Sequence, residues 1–153
     1  MSKQKVEKIL VPIDGSDNAF RAASFAIDLA SKYSSELILL HAFDLNQIRY
    51  SIGLLGVGYP SNIDKIKEDV AKEAAPWFER VQKEADSTGV TVKTDVIDAV
   101  LSVVEEIIDY ADRKKIDLIV IGSRGRTGFK KLLLGSIASG LVAHAPCPVL
   151  VAK

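Results

Sequence analysis

One cysteine, Cys147, stands among 153 residues. No internal disulfide can form, which suits a reducing compartment. No apolar run approaches the roughly 18 residues that a membrane helix needs. The opening "MSKQKVEKILVPID" carries Lys3, Lys5 and Lys8, but Glu7 interrupts the charge. Its apolar run of about five residues is too short for the hydrophobic region of a secretory signal. Charge of one sign is not in excess, since 20 basic side chains balance 20 acidic ones. A general nucleic-acid binder would show a basic surplus, so that class is set aside while a local basic site stays open. Two phosphate-loop signatures are missing as well. No glycine precedes Lys-Ser or Lys-Thr as a Walker A loop requires, and "GLLGVGYP" lacks the third glycine of the dinucleotide fingerprint. These absences predict a soluble, cytoplasmic, single-domain protein over residues 1–153, with neither membrane nor nucleic acid as partner.

What is present alternates regularly. "VEKILVPID" (6–14) and "SELILLHAF" (35–43) are short apolar runs that read as buried strands. Between them Ala19, Phe20, Ala23, Ala26, Ile27 and Ala30 recur at helical spacing behind a capping Ser16 or Asp17. The stretch 44–62 has three glycines and a proline and no clean period, so it is expected as a long loop. Ile63, Ile66, Val70, Ala74, Trp77, Val81 and Ala85 then step by three and four, predicting a helix that Pro76 should kink and Gly89 should end. "VTVKTDVI" (90–97) alternates like a half-exposed strand near a sheet edge. An amphipathic helix over 102–115 begins with Ser102 and Glu105 at capping-box spacing. "IDLIVIG" (116–122) and "PCPVLVAK" (146–153) are further strands, with a helix over 136–145 between them. This β-α-β alternation implies a parallel sheet with helices on both faces. The most continuously apolar strands, the first and fourth, belong at its centre. The crevice where strand order reverses then lies between "PIDGS" and "GSRGRTG".

The segment "IGSRGRTGFKKLLLGSIASG" (121–140) sits at that crevice. Gly122, Gly125, Gly128 and Gly135 leave backbone amides uncovered and let an anion approach closely. Ser136 opens a helix whose N-terminus offers free amides and partial positive charge. Arg124, Arg126, Lys130 and Lys131 add charge. Either this is a phosphate site or it is a surface turn with solvated basic residues. Asp14, following the first strand, suits a ribose or metal contact, with a helix-capping turn as the alternative. His41 reads as a packed or hydrogen-bonded histidine, His144 as a charge at a helix C-terminus, Cys147 as a buried thiol and Trp77 as core.

Gly122-x-x-Gly125, nine residues, then Gly135-Ser136 is similar to the G-2x-G-9x-G-[ST] pattern of the nucleotide-binding branch of the universal stress protein family. "ILVPIDGS", "LILLHAFD" and the whole C-terminal third resemble that family too. The likeness implies a five-stranded Rossmann-like sheet of the adenine nucleotide alpha hydrolase-like kind, ordered 3-2-1-4-5. It implies ATP at the switch point, with Mg²⁺ near Asp14. Pro12, Ile13 and Asp14 would flank the adenosine, and Ala42 would offer its backbone to adenine. Gly122, Ser123, Arg124, Gly125, Arg126, Thr127 and Gly128 would wrap ribose and phosphates. Ser136, Ile137 and Ala138, after Gly135, would meet the phosphates. A homodimer joined through the last strand, "PVLVAK", is implied as well, and an apolar edge strand has a physical reason to seek a partner. The family's Gly-x-Pro-like turn after the third strand is absent here, where "IDAVLSVVEE" stands.

The sequence therefore points to an ATP-binding regulatory protein of the stress response, with protein partner unassigned. A slow ATP hydrolase is the alternative, although no base and nucleophile pair stands out beside the glycines. A nucleotide-free dimerisation module sits poorly with the intact glycine pattern. A phosphoacceptor receiver would use Asp14, Asp17, Asp98 and Lys153, but it needs a helix after the fifth strand.

Overall fold

A computed structural model describes residues 3–56, 63–125 and 134–153. Strands β1 (Lys8–Pro12), β2 (Glu36–Asp44), β3 (Val92–Ala99), β4 (Leu118–Gly122) and β5 (Val149–Ala152) pair in parallel as one sheet. Their order is β3-β2-β1-β4-β5, as the resemblance implied. Helices α1 (Asp17–Tyr33), α3 (Ile63–Asp86), α4 (Val103–Lys114) and α5 (Ser136–His144) cover its two faces.

Alternation along the strands assigns each face its helices. Ile9, Val11, Leu37, Leu39 and Val120 share a cluster with Ala22, Ala23 and Ala26 of α1 and Ala74, Phe78 and Val81 of α3. The alanine row lets α1 lie close to the sheet. Leu10, Ile38, Leu40, Ile119 and Ile121 face the other way, against Ile107, Tyr110 and Ala111 of α4 and Ala138 and Leu141 of α5. Leu10 is wholly buried, so truncation to alanine costs about 2–5 kcal/mol.

Local signals start and stop the helices. Ser16 accepts from the Ala19 amide at 3.2 Å and Ser102 from the Glu105 amide at 3.3 Å. Ser34 and Lys115 close α1 and α4 in the left-handed conformation. α3 continues through Pro76, which lies on the exposed side, and ends at Asp86, ahead of Gly89. Gly15 turns between β1 and α1 at φ +82°, and a Cβ there would lie 2.6 Å from the Trp77 ring. Trp77 is half-buried against the core.

The loop expected over 44–62 is corrected in its first part, where α2 (Leu45–Leu54) follows β2 directly; residues 57–62 lie outside the described residues. Asp44 caps it, accepting from the Gln47 amide at 3.0 Å. Leu45 is buried with Phe43, Ile66 and Val70, and Ile48 packs on them. Tertiary burial of this short apolar stripe outweighs Gly53.

The strand order also opens the crevice. β1 pairs with β2 from Lys8–Glu36 as far as Pro12–Leu40. Its ladder with β4 holds only Ile9–Leu118 and Leu10–Ile119, although β1 runs to Pro12 and β4 to Gly122. Beyond Leu10 and Ile119 the two central strands go separate ways, and the gap lies at their carboxyl ends.

Candidate functional site

A cleft of about 430 Å³ occupies that gap, within the size range of small-molecule sites. One wall is the end of β1. The Ile13 amide donates to the Leu40 carbonyl at 2.8 Å, and the Ile13 carbonyl accepts from His41 Nδ1 at 2.7 Å. Next to it, Asp14 Oδ1 accepts from the Ser16 amide at 2.9 Å and the Ser16 hydroxyl at 2.6 Å. Asp14 thus forms the turn that starts α1, and it also lines the cleft.

A second wall is the end of β2. The Leu40 carbonyl points towards β1, and backbone groups alternate sides along a strand. Ala42 therefore presents its amide and carbonyl in the same direction, past the last β1 ladder partner, Leu40. Phe43, Ile48, Val70, Ile107 and Ile121 make this part apolar.

The third wall is polar. The Gly135 amide donates to the Ser123 carbonyl at 2.6 Å, which brings the start of α5 against the end of β4. A Cβ on Gly135 would lie 3.3 Å from that carbonyl. A Cβ on Gly125 would lie 3.0 Å from Asp14 Oδ2, so the β4 segment passes directly over the carboxylate. α5 has no side-chain cap at Gly135. Its leading amides and those of Ser136 and Ile137 sit at the cleft with the partial positive charge of a helix N-terminus. An apolar slot next to such a terminus suits a flat ring carrying an anionic tail.

The sequence profile of the Universal stress protein family matches residues 5–153. The chain belongs to that family. It is 35% identical over 147 residues to Universal stress protein MJ0531 of Methanocaldococcus jannaschii, covering 96% of this chain and 82% of that protein. It is 36% identical over 148 residues to Universal stress protein YxiE of Bacillus subtilis, covering 95% and 98%. In three dimensions it superposes on the hypothetical protein MJ0577 with TM-score 0.78 and 30% identity, covering 97% of this chain and 96% of that one.

In this universal stress protein Pro12, Ile13, Asp14, Ala42, Gly122, Ser123, Arg124, Gly125, Gly135, Ser136, Ile137 and Ala138 all line this cleft. Arg126, Thr127 and Gly128 lie outside the described residues, as do Lys130 and Lys131. Gly122 does a further job: a Cβ there would lie 2.8 Å from the Asn18 carbonyl oxygen, so the glycine admits the first turn of α1.

Sequence reasoning missed the outer walls. Gln47 and Ile48 come from α2, Val70 and Glu73 from α3, and Val103 and Ile107 from α4. The signal for α2 was there: Asp44 with Gln47 at capping spacing, then Leu45, Ile48 and Ile52 on one stripe. His41 is packed and hydrogen-bonded as expected, and it also lines the cleft, its ring 5.1 Å from Trp77 edge to face. Among the described residues no group of three or more His, Cys, Asp or Glu could hold a metal ion. Asp14 supplies one carboxylate, a donor set that fits Mg²⁺ held together with phosphates rather than by protein alone.

No helix among the described residues is long and apolar enough to cross a membrane. Cys147 is half-buried, and burial pushes its thiol above the ordinary value.

Proposed function

We propose that this universal stress protein binds an adenine nucleotide, ATP with Mg²⁺, in the cleft between β1 and β4, and acts as a nucleotide-dependent regulator in the stress response. The uncapped start of α5 facing an apolar slot carries the reading. The slot takes the base against the Ala42 backbone. Asp14 takes the ribose and, through the phosphates, the magnesium ion. The Gly122–Gly125 segment and the amides of Ser136, Ile137 and Ala138 take the phosphates. Two proteins of the same fold support the choice of ligand class. A universal stress protein has been solved in complex with cAMP, and one from Archaeoglobus fulgidus in complex with dAMP. At 20% and 22% identity they share the fold with this chain, so the cleft geometry carries the weight.

The chain works as a homodimer in this proposal, joined through β5. That strand ends the sheet with one side unpaired, and its sequence Val149–Ala152 has no charge to blunt the edge. The opposite edge, β3, carries Lys93 in an ion pair with Glu36.

The test is mass spectrometry of small molecules released on denaturing the protein purified without added nucleotide, alongside Ser136→Asp. Ser136 is exposed in the first turn of α5, where an aspartate favours the helix but repels phosphate. Adenine nucleotide released by the wild type and absent from the folded variant is the expected result. The ATP-to-ADP ratio reports on hydrolysis. An empty wild type that also fails to take up added ATP overturns the proposal.

A further inference from the structure

A second cavity, of about 230 Å³, opens on the other side of the Ser123–Arg124 segment. Asn18, Arg21, Ser123, Arg124 and Lys153 line it. Three of these five residues have cationic side chains, and none has an acidic side chain. The nucleotide cleft, by contrast, includes Asp14, Asp44 and Glu73. The cavity is smaller than a cleft for a whole small molecule, and it suits a single compact group.

Its cations are uncommitted. Among the described residues, Arg21, Arg124 and Lys153 take part in none of the ion pairs, which elsewhere engage lysines such as Lys67 with Asp98 and Lys93 with Glu36. Ser123 supplies an independent observation. It is 6% exposed, its amide is held by the Ala152 carbonyl at 3.0 Å, and its carbonyl by the Gly135 amide. Its hydroxyl has no hydrogen-bond partner among the described residues, and the residue lines this cavity. Among the described residues no buried side-chain oxygen lacks a partner, so this hydroxyl is open to the cavity and available to a ligand or to solvent.

We propose that this cavity is an oxyanion site that holds one phosphate group between the guanidinium groups of Arg21 and Arg124 and the ammonium of Lys153, with the Ser123 hydroxyl donating to it. Guanidinium groups meet phosphate through paired N–H donors, and lysine adds a point charge. Ser123 and Arg124 border both cavities, so the phosphate comes either from solution or from the outer end of a nucleotide seated next door.

Inorganic phosphate is the probe, followed by ³¹P line broadening at fixed ionic strength, on wild type, Arg21→Gln and Lys153→Gln. Both side chains are exposed and neither lines the nucleotide cleft, so the variants fold and bind adenosine as the wild type does. The wild type should bind phosphate saturably, and each variant should bind it about tenfold more weakly, as expected on losing a charge-assisted hydrogen bond. ATP and AMP then identify the source. Competition by ATP alone assigns the cavity to the outer phosphates of a bound nucleotide. Competition by neither assigns it to free phosphate. Competition by AMP as well would put the phosphate in the nucleotide cleft and overturn the proposal. So would absence of phosphate binding, or binding indifferent to both substitutions. Failure of adenosine and ATP to bind the wild type would instead overturn the nucleotide proposal and leave this one standing.

Discussion

Gly122 at the end of β4 and Asn18 in the first turn of α1 meet backbone to backbone. A Cβ on Gly122 would lie 2.8 Å from the Asn18 carbonyl oxygen and 2.9 Å from its carbonyl carbon. Neither backbone can give way without moving β4 or α1. Gly122→Ala should therefore destabilise the protein by about 1–3 kcal/mol, read as a lower urea midpoint at unchanged slope. Gly135→Ala, whose Cβ would lie 3.3 Å from the Ser123 carbonyl, should cost less stability. Equal losses at both positions would refute this difference in role.

Asp14→Asn keeps an acceptor oxygen for the Ser16 amide and hydroxyl, so the turn into α1 should persist. The two hydrogen bonds lose their charge assistance, so stability should fall by about 1 kcal/mol without loss of the fold. The charge is gone, however, and the proposed magnesium contact with it. Calorimetric titration with ATP should show wild-type affinity that rises with Mg²⁺ and variant affinity that does not. Retained magnesium dependence would remove Asp14 from that role.

Val151→Pro tests the dimer. The Pro148 and Ala152 carbonyls accept from β4 at Ile119 and Ser123. By alternation, Val149 and Val151 direct their backbone groups away from β4. A proline at 151 removes an outward donor and spares the β4–β5 ladder. Light scattering should find a dimer for the wild type, as proposed, and a monomer for the variant, with the urea midpoint extrapolated to low protein concentration nearly unchanged. A variant that remains dimeric would place the interface elsewhere.

Tyr110 sets an alkaline limit. Burial, the Asp95 charge and a hydrogen bond from its hydroxyl to Asp95 Oδ2 at 3.1 Å push the phenol above its ordinary 10.0. The folded state then holds the proton more tightly than the unfolded chain. Its contribution is full below pH 10.0 and is lost as pH rises past that value. Tyr110→Phe should be less stable at neutral pH but should lose stability less steeply above pH 10.0. Urea midpoints across that range decide it, and parallel pH curves would exclude the phenol as the cause.

The sheet was legible because its strands are continuous apolar runs between clear helix caps, and Ser16 and Ser102 announce α1 and α4 by sequence alone. The inner site was legible because glycines mark where backbone must lie bare. α2 was not, because Gly53 and Gly56 hide a stripe of only Leu45, Ile48 and Ile52, and tertiary burial of Leu45 decides the matter. Glu73, Val70 and Ile107 reach the cleft from helices whose periodicity speaks of core and surface but not of a ligand wall. Gly122 was legible as necessary, but its contact with Asn18 belongs to three dimensions.

The strand order β3-β2-β1-β4-β5 fixes when the cleft can exist as the chain emerges from a ribosome. β1, β2 and β3 can pair as soon as Ala99 is made, because they are contiguous in both sequence and sheet. β1 then stays an open edge until β4 arrives. Pro12, Ile13, Asp14 and Ala42 wait together, with no polar wall opposite them. Only when residues 118–138 follow does that edge close and the cleft acquire its third wall. A nascent chain of this kind cannot use the proposed nucleotide as an early folding template. Ligand capture should come last in biogenesis, as a report that the second half has docked.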